Sequence, residues 1–163
     1  MNIELVKTQL TDLSELIKML KTIFTPVLEK YHDDEINPAN LPQERIVRWF
    51  AQDFTTVYFV RADGKNVGFV RVIECKFFPE KRDRVRLSPL GILSDFQNQG
   101  LAQEMFHQLE QLYRPKDGWE LDTILQEKGN LPLYEKLGYK RVGEVQRYNE
   151  FMDLVAYEKE CQL

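Results

Sequence analysis

The 163-residue sequence predicts one α/β (α+β) domain, with a mixed, mostly antiparallel sheet of about seven strands and about four helices. Three observations carry that reading. β-rich runs and runs with helical apolar spacing alternate in the order β-α-α-β-β-β-α-β-α-β-β. The dipeptide Asp63-Gly64 joins two β-rich runs as a hairpin. A strand–helix–strand unit lies between antiparallel hairpins, which requires both kinds of strand pairing in one sheet.

The elements follow in order. "IELVKT" reads as the first strand. "TDLSELIKMLKTIFTPVLEKY" places Leu13, Leu16, Ile17, Leu20, Ile23 and Phe24 at helical spacing, with Thr11 or Asp12 as the cap. "YHDDEINPAN" is a loop. "LPQERIVRWFAQDF" is a second helix, with Pro42 in its first turn and Ile46, Trp49 and Phe50 on one face. "TTVYFVRADGKNVGFVRVIE" is the hairpin. "RVRLSPLGILS" is a fourth strand. A helix from Gly100 to Tyr113 follows, its apolar positions Leu101, Met105, Leu109 and Leu112. "ELDTILQE" is a fifth strand, and "NLPLYEKLG" is a short helix stopped by Gly138. "YKRVGEVQRY" and "EFMDLVAYEKE" close the chain as a second hairpin.

Composition excludes several classes. Hydrophobic residues make up 43% and charged residues 29%, the balance of a globular domain rather than a disordered chain. A net charge of −4 gives no electrostatic reason to expect nucleic acid or an anionic membrane as partner. No apolar run approaches the roughly 18 residues of a membrane span. "MNIELVKTQL" lacks the basic stretch and apolar core of a signal peptide. The two cysteines, Cys75 and Cys161, lie far apart and suit a reducing, cytoplasmic compartment. His32 and His107 have no ligand-type neighbours at metal-site spacing, so no metal is expected. Without repeats or linkers, residues 1–163 read as a single domain.

One short stretch carries chemistry. In "LGILSDFQNQGLAQEMFHQLEQLY" an apolar strand breaks into Gln97, Asn98, Gln99 and Gly100 and enters a helix at once. The first N–H groups of a helix have no intrahelical acceptor and carry the positive end of its dipole. A glycine there lets a ligand approach the backbone, so the turn is a candidate anion site. It is neither the Gly-x-x-x-x-Gly-Lys-Ser/Thr phosphate loop nor the three-glycine dinucleotide fingerprint.

"QNQGLA", Gln97 to Ala102, resembles the Gln/Arg-x-x-Gly-x-Gly/Ala signature of the GNAT acetyltransferase superfamily. "LDTILQEKGNLPLYEKLGYKRVGE" resembles that family's next core segment, and the element order matches as well. The resemblance implies a GNAT-like sheet with a splayed cleft between strands 4 and 5. It also implies an N-acetyltransferase using acetyl-CoA as co-substrate. Gln97, Asn98, Gln99, Gly100, Leu101 and Ala102 would form the pyrophosphate loop, with Gln103 on its edge. The amides of Asn98 and Gln99 equally suit solvated turn residues. Ile92, Leu93 and Ser94 would offer main-chain contacts to the pantetheine arm, in a strand where Pro89 lacks an N–H and Gly91 suits a bulge. Tyr134 matches the tyrosine that protonates the departing thiolate in many members; a thiol titrates near 8.5 and a phenol near 10.

The sequence departs from the family pattern twice. Glu127 stands where many members carry Asn, and nearby Asn130 is the candidate to contact the cofactor instead. The usual acidic base is missing from strand 4, where Arg84, Arg86 and Ser88 share a face by alternation. Glu74 or a water chain remains as base. For the acceptor, the resemblance points to the loop between the first two helices. There Asp33, Asp34 and Glu35 suit a cationic amine, and His32 is a further candidate substrate contact. Arg84 and Arg86 suit an acceptor carboxylate. The expected activity is direct acetyl transfer to a primary amine of a small molecule, amino acid or peptide, and a homodimer is compatible with it. The competing reading is a non-catalytic acyl-CoA-binding or sensory module with the same fold.

Overall fold

The computed structural model describes residues 1–162. Its elements are β1 (Ile3–Lys7), α1 (Leu13–Tyr31), α2 (Gln43–Ala51), β2 (Thr55–Ala62), β3 (Lys65–Glu74), β4 (Val85–Ile92), α3 (Leu101–Leu112), β5 (Trp119–Ile124), α4 (Asn130–Lys136), β6 (Lys140–Arg147) and β7 (Asp153–Lys159). The strands form one sheet in the order β1-β2-β3-β4-β5-β7-β6. Neighbours are antiparallel except β4 and β5, which run parallel.

Alternation along the strands builds two cores. Val57, Phe59 and Phe69 face α1 and α2, packing on Leu16, Leu20, Ile46 and Trp49. Val60, Val70, Val72, Leu87 and Leu121 face the other side, against Leu101, Met105, Phe106 and Leu109 of α3 and Tyr134 of α4. Leu16 is completely buried. Burial of such a side chain stabilises the fold by about 1.5–3 kcal/mol. The β2–β3 turn puts Asp63 (φ 50°) and Gly64 (φ 82°) in left-handed conformations, the geometry that Asp-Gly favours in a two-residue hairpin.

Asp12 is the N-cap residue of α1, while its side chain serves the 3-10 turn ahead, Oδ2 accepting from the Gln9 N–H at 2.8 Å. Three local expectations are corrected. Pro42 precedes α2 rather than lying in its first turn. Leu112 is 59% exposed, whereas Phe106 takes its place in the core. The β4 bulge falls at Ser88–Pro89, because Val72 pairs with Leu87 and Val70 with Leu90. Gly91 is regularly paired with Phe69. Its small size serves helix packing, since a Cβ there would lie 2.7 Å from Ile23 Cγ2 of α1.

Candidate active site

β4 and β5 pair only at Val85–Trp119 and Arg86–Glu120. Beyond Arg86 the bulge turns β4 away, since an extra residue bends and twists its strand. The result is a cleft that opens between the two strands. The Leu93 N–H donates to the Val67 carbonyl at 2.8 Å. Antiparallel ladders alternate, so Gly91 also faces β3 while the main-chain groups of Leu90 and Ile92 face the cleft. The Ile92 carbonyl accepts from Gln97 Nε2 at 3.0 Å, which leaves the Ile92 N–H and both groups of Leu90 on a free edge. The Ser94 carbonyl accepts from the Gln97 N–H at 3.3 Å. Leu90 was not among the residues expected from the sequence. Two-residue alternation would have found it once the bulge was placed at Ser88–Pro89.

The turn at the cleft's mouth presents donors. Asn98 (φ 62°) and Gly100 (φ 79°) are both left-handed, and α3 begins at Leu101. Among the described residues, none of the N–H groups from Asn98 to Gln103 has a backbone or side-chain acceptor. The flanking groups are engaged: Gln97 N–H bonds Ser94, and Glu104 N–H bonds the Gly100 carbonyl at 3.1 Å. A Cβ on Gly100 would meet nothing within 4 Å, so the space above the turn is open. Gln99 Nε2 donates to the Asp95 carbonyl at 3.3 Å and holds the loop's shape.

Tyr134 is 6% exposed. Its ring packs edge-on against Phe106 (5.9 Å) and Tyr139 (6.2 Å). Burial pushes its hydroxyl up to about 12, with a hydrogen bond to Thr123 acting the other way. Thr123 lies on β5 beyond the last pair with β4, so the phenol stands beside the open part of the cleft. Asn130 opens α4, its N–H bonded to the Glu127 carbonyl at 3.0 Å. Glu127 ties this loop to α1: its Oε1 accepts from the Tyr31 hydroxyl at 2.8 Å and from Lys30 Nζ at 3.4 Å.

The other expected side chains are scattered. Glu74 shares the α3 face with Val72 and Val85, and pairs with Lys76 at 3.5 Å. Arg84 is buried on the opposite face, bound to Glu120 at 3.2 Å, to Glu158 and to the Asp117 carbonyl. Arg86 pairs with Glu120 at 3.2 Å and with Asp122. Both arginines are thus matched by carboxylates of this chain. Asp33 is buried and accepts from Asn37 Nδ2 at 3.0 Å, bracing the loop after α1. His32 is exposed and its ring packs tilted against Phe151, centroids 4.9 Å apart. Sequence reasoning missed Asp122, which is exposed on the free stretch of β5. Its signal was alternation in "WELDTI", where Trp119, Leu121 and Thr123 are buried and Glu120 and Asp122 share the other face. Among the described residues no cluster of His, Cys, Asp or Glu is arranged to hold a metal, and no helix is long and apolar enough to cross a membrane.

A sheet split beside a helix N-terminus is the layout that the GNAT resemblance implied. The family model for the acetyltransferase (GNAT) domain matches residues 25–161. The chain belongs to the GNAT acetyltransferase family and is, by class, an N-acetyltransferase. Among solved structures, it is similar to smu.2055 of Streptococcus mutans, with TM-score 0.80, 12% identity and coverage of 99% of this chain and 100% of that one. It is also similar to yncA of Salmonella typhimurium, solved with its cofactor acetyl-CoA (TM-score 0.76, 16% identity, coverage 100% and 96%). The spermidine N-acetyltransferase of Vibrio cholerae, in complex with CoA and spermine, matches with TM-score 0.74, 14% identity and coverage of 96% and 94%. At these identities the likeness is one of fold. No curated protein matches the chain by sequence.

Proposed function

We propose that the chain binds acetyl-CoA across the β4/β5 cleft and transfers the acetyl group directly to a primary amine of a small molecule, amino acid or peptide. The observation that carries this is the row of free donors from Asn98 to Gln103, beside the free edge at Leu90 and Ile92. Those residues suit the cofactor. Backbone N–H groups and the α3 dipole neutralise a diphosphate without a lysine, and the open space at Gly100 admits it. The β4 edge offers strand-like hydrogen bonds to an amide-bearing arm. When bound, acetyl-CoA supplies an acetyl thioester, whose C–S bond is exchanged for the acceptor's C–N bond with release of a thiol and a proton.

The chain's own groups divide the proton work between the two faces of β5. Tyr134 stays a neutral phenol far above neutral pH and holds a proton on the α3/α4 side. Transfer from it to a reference thiolate is uphill by about 3–4 pK units, so Tyr134 acts first as a hydrogen-bond donor. Asp122, next to Thr123 in sequence, faces the α1/α2 side. Its Oδ2 is held by Arg86, so Oδ1 is the oxygen offered to the acceptor ammonium, whose proton leaves to solvent. This placement favours Asp122 over Glu74, which faces α3. The two free thiols, Cys75 and Cys161, support a cytoplasmic setting.

Acetyl-CoA titration read by thermal shift, followed by thiol release on a panel of amines, tests the reading. The melting temperature rises with ligand concentration, as linkage requires. A flat melting temperature up to millimolar acetyl-CoA overturns it.

A further inference from the structure

On the α1/α2 side of β4 lies a cavity of about 360 Å³, its wall formed by Arg45, Arg48, Trp49, Arg71, Ser88 and Pro89. We infer that this cavity holds an anionic group, a carboxylate or a phosphate, of the acceptor whose amine is acetylated. The inference rests on the acetyltransferase reading above and adds the acceptor's chemical class: a zwitterionic amine, not a polyamine.

The charge pattern is the first support. Arg84 and Arg86 each face carboxylates of this chain, but Arg45, Arg48 and Arg71 have none within 4.0 Å among the described residues. Arg71 Nη2 donates only to neutral oxygens, Gln52 Oε1 at 3.1 Å and Thr55 Oγ1 at 3.2 Å. Its Nε is buried with no partner at all. A buried donor on a charged group is costly to leave unpaired, by about 1–3 kcal/mol or more. The guanidinium is held by Trp49, whose ring centroid lies 4.8 Å away. Burial, then the charges of Arg45 and Arg86, draw the Arg71 guanidinium down to about 10. A planar guanidinium fixed in this way, with a second one beside it, presents the fork that carboxylate and phosphate oxygens match.

Position is the second support. Ser88 and Pro89 are the bulge, and Ser88 is two residues beyond the last β4–β5 pair at Arg86. That is about 7 Å along the strand. The cavity therefore opens at the mouth of the cleft. Across the mouth, on the same face of the sheet, stand Glu120 and Asp122 of β5 and Glu158 of β7. Arg84 and Arg86 offset two of these three carboxylates, which leaves the β5 side weakly acidic, whereas the β3/α2 side is basic. An acceptor with its ammonium toward Asp122 and its anion toward Arg71 is matched at both ends. A polyamine would bring a second cation against three unpaired arginines.

Two measurements test this. The first compares kcat/KM by thiol release for alanine against alaninamide, phosphoethanolamine against ethanolamine, and spermidine. The second is calorimetric titration of acetyl-CoA-loaded protein with acetate and with inorganic phosphate. Both are run on the parent, Arg71→Gln, and Arg45→Gln; Arg45 is exposed on α2, so its replacement leaves the fold intact. The expected result is at least a tenfold preference for one anionic member over its neutral pair, reduced about tenfold or more in both variants. Neutral amines stay within about twofold. The alanine and phosphoethanolamine arms decide between carboxylate and phosphate. A preference for spermidine, or an anionic preference unchanged in Arg45→Gln and Arg71→Gln, overturns the inference while leaving the acetyltransferase reading in place. If no amine in the panel turns over, anion binding lost in both variants supports it, and absence of anion binding overturns it. Failure of acetyl-CoA to bind overturns the underlying reading and, with it, the inference that rests on it.

Discussion

Replacement of Gly100 by valine separates the cost of a left-handed backbone from the cost of blocking a ligand. Gly100 sits at φ 79°, where an L-residue loses roughly 1–2 kcal/mol relative to glycine. Its missing Cβ faces open space, so the protein itself adds no clash. Gly64 offers a matched control at φ 82°, also with nothing within 4 Å, on the β2–β3 turn. Both Gly100→Val and Gly64→Val should therefore lower the melting temperature by about 2–8 °C, using about 2–4 °C per kcal/mol for a domain of this size. Only Gly100→Val should weaken acetyl-CoA. A branched side chain over the turn separates the diphosphate from donors such as Leu101 and Ala102. One charge-assisted hydrogen bond is worth about 1.5–3 kcal/mol, so the dissociation constant rises about 10- to 100-fold. Calorimetry on both folded variants reads the difference. Equal acetyl-CoA affinity in the two variants would refute the assignment of the turn.

Other outcomes follow from the same geometry. Tyr134→Phe should lower turnover by about 100-fold, the lower end of general acid effects, with little change in acetyl-CoA affinity; single-turnover kinetics separates the two. Asp122→Asn should reduce kcat more than Glu74→Gln does, and the reverse order in steady-state assays would return the base to β3. Stability should fall as pH rises from about 10 to about 12. The unfolded chain ionises tyrosine near 10 while folded Tyr134 holds its proton to about 12. Linkage makes the Tyr134 contribution roughly 3 kcal/mol of stability, present in full below pH 10 and lost above 12. Urea unfolding across that range should show a shallower fall in Tyr134→Phe.

Local signals made the frame legible. Asp63-Gly64 dictated a hairpin because few other dipeptides adopt two successive positive φ values cheaply. Gly100 marked the candidate anion turn for a related reason. What the sequence hid depends on distant partners. Arg84 and Arg86 looked free because Glu120, Asp122 and Glu158 arrive from β5 and β7. The arginine cavity is assembled from α2, β3 and the β4 bulge, which are adjacent only in space. The bulge was expected at Gly91 and falls at Ser88–Pro89. Helix α1, through Ile23, decides why Gly91 is small, and no local pattern carries that contact. Glu74 was placed at the end of the right strand, but the face it took follows from the pairing of β3 with β2 and β4.

The two-pair seam also divides the molecule as a folding unit. β1 to β4 form a continuous antiparallel run in which β2 follows into β3 and β3 into β4, whereas β5, β7 and β6 form a separate three-stranded unit. Few hydrogen bonds cross this seam, so the α3-side core that spans both parts carries most of the coupling between them. Amides bonded across the seam, such as the Val85 N–H on the Gly118 carbonyl at 3.1 Å, should then exchange with deuterium through a local parting of β4 from β5, at a free energy below that of global unfolding. A ligand bridging both strands would convert that parting into a whole-molecule event, and slowed exchange on one strand would be matched on the other.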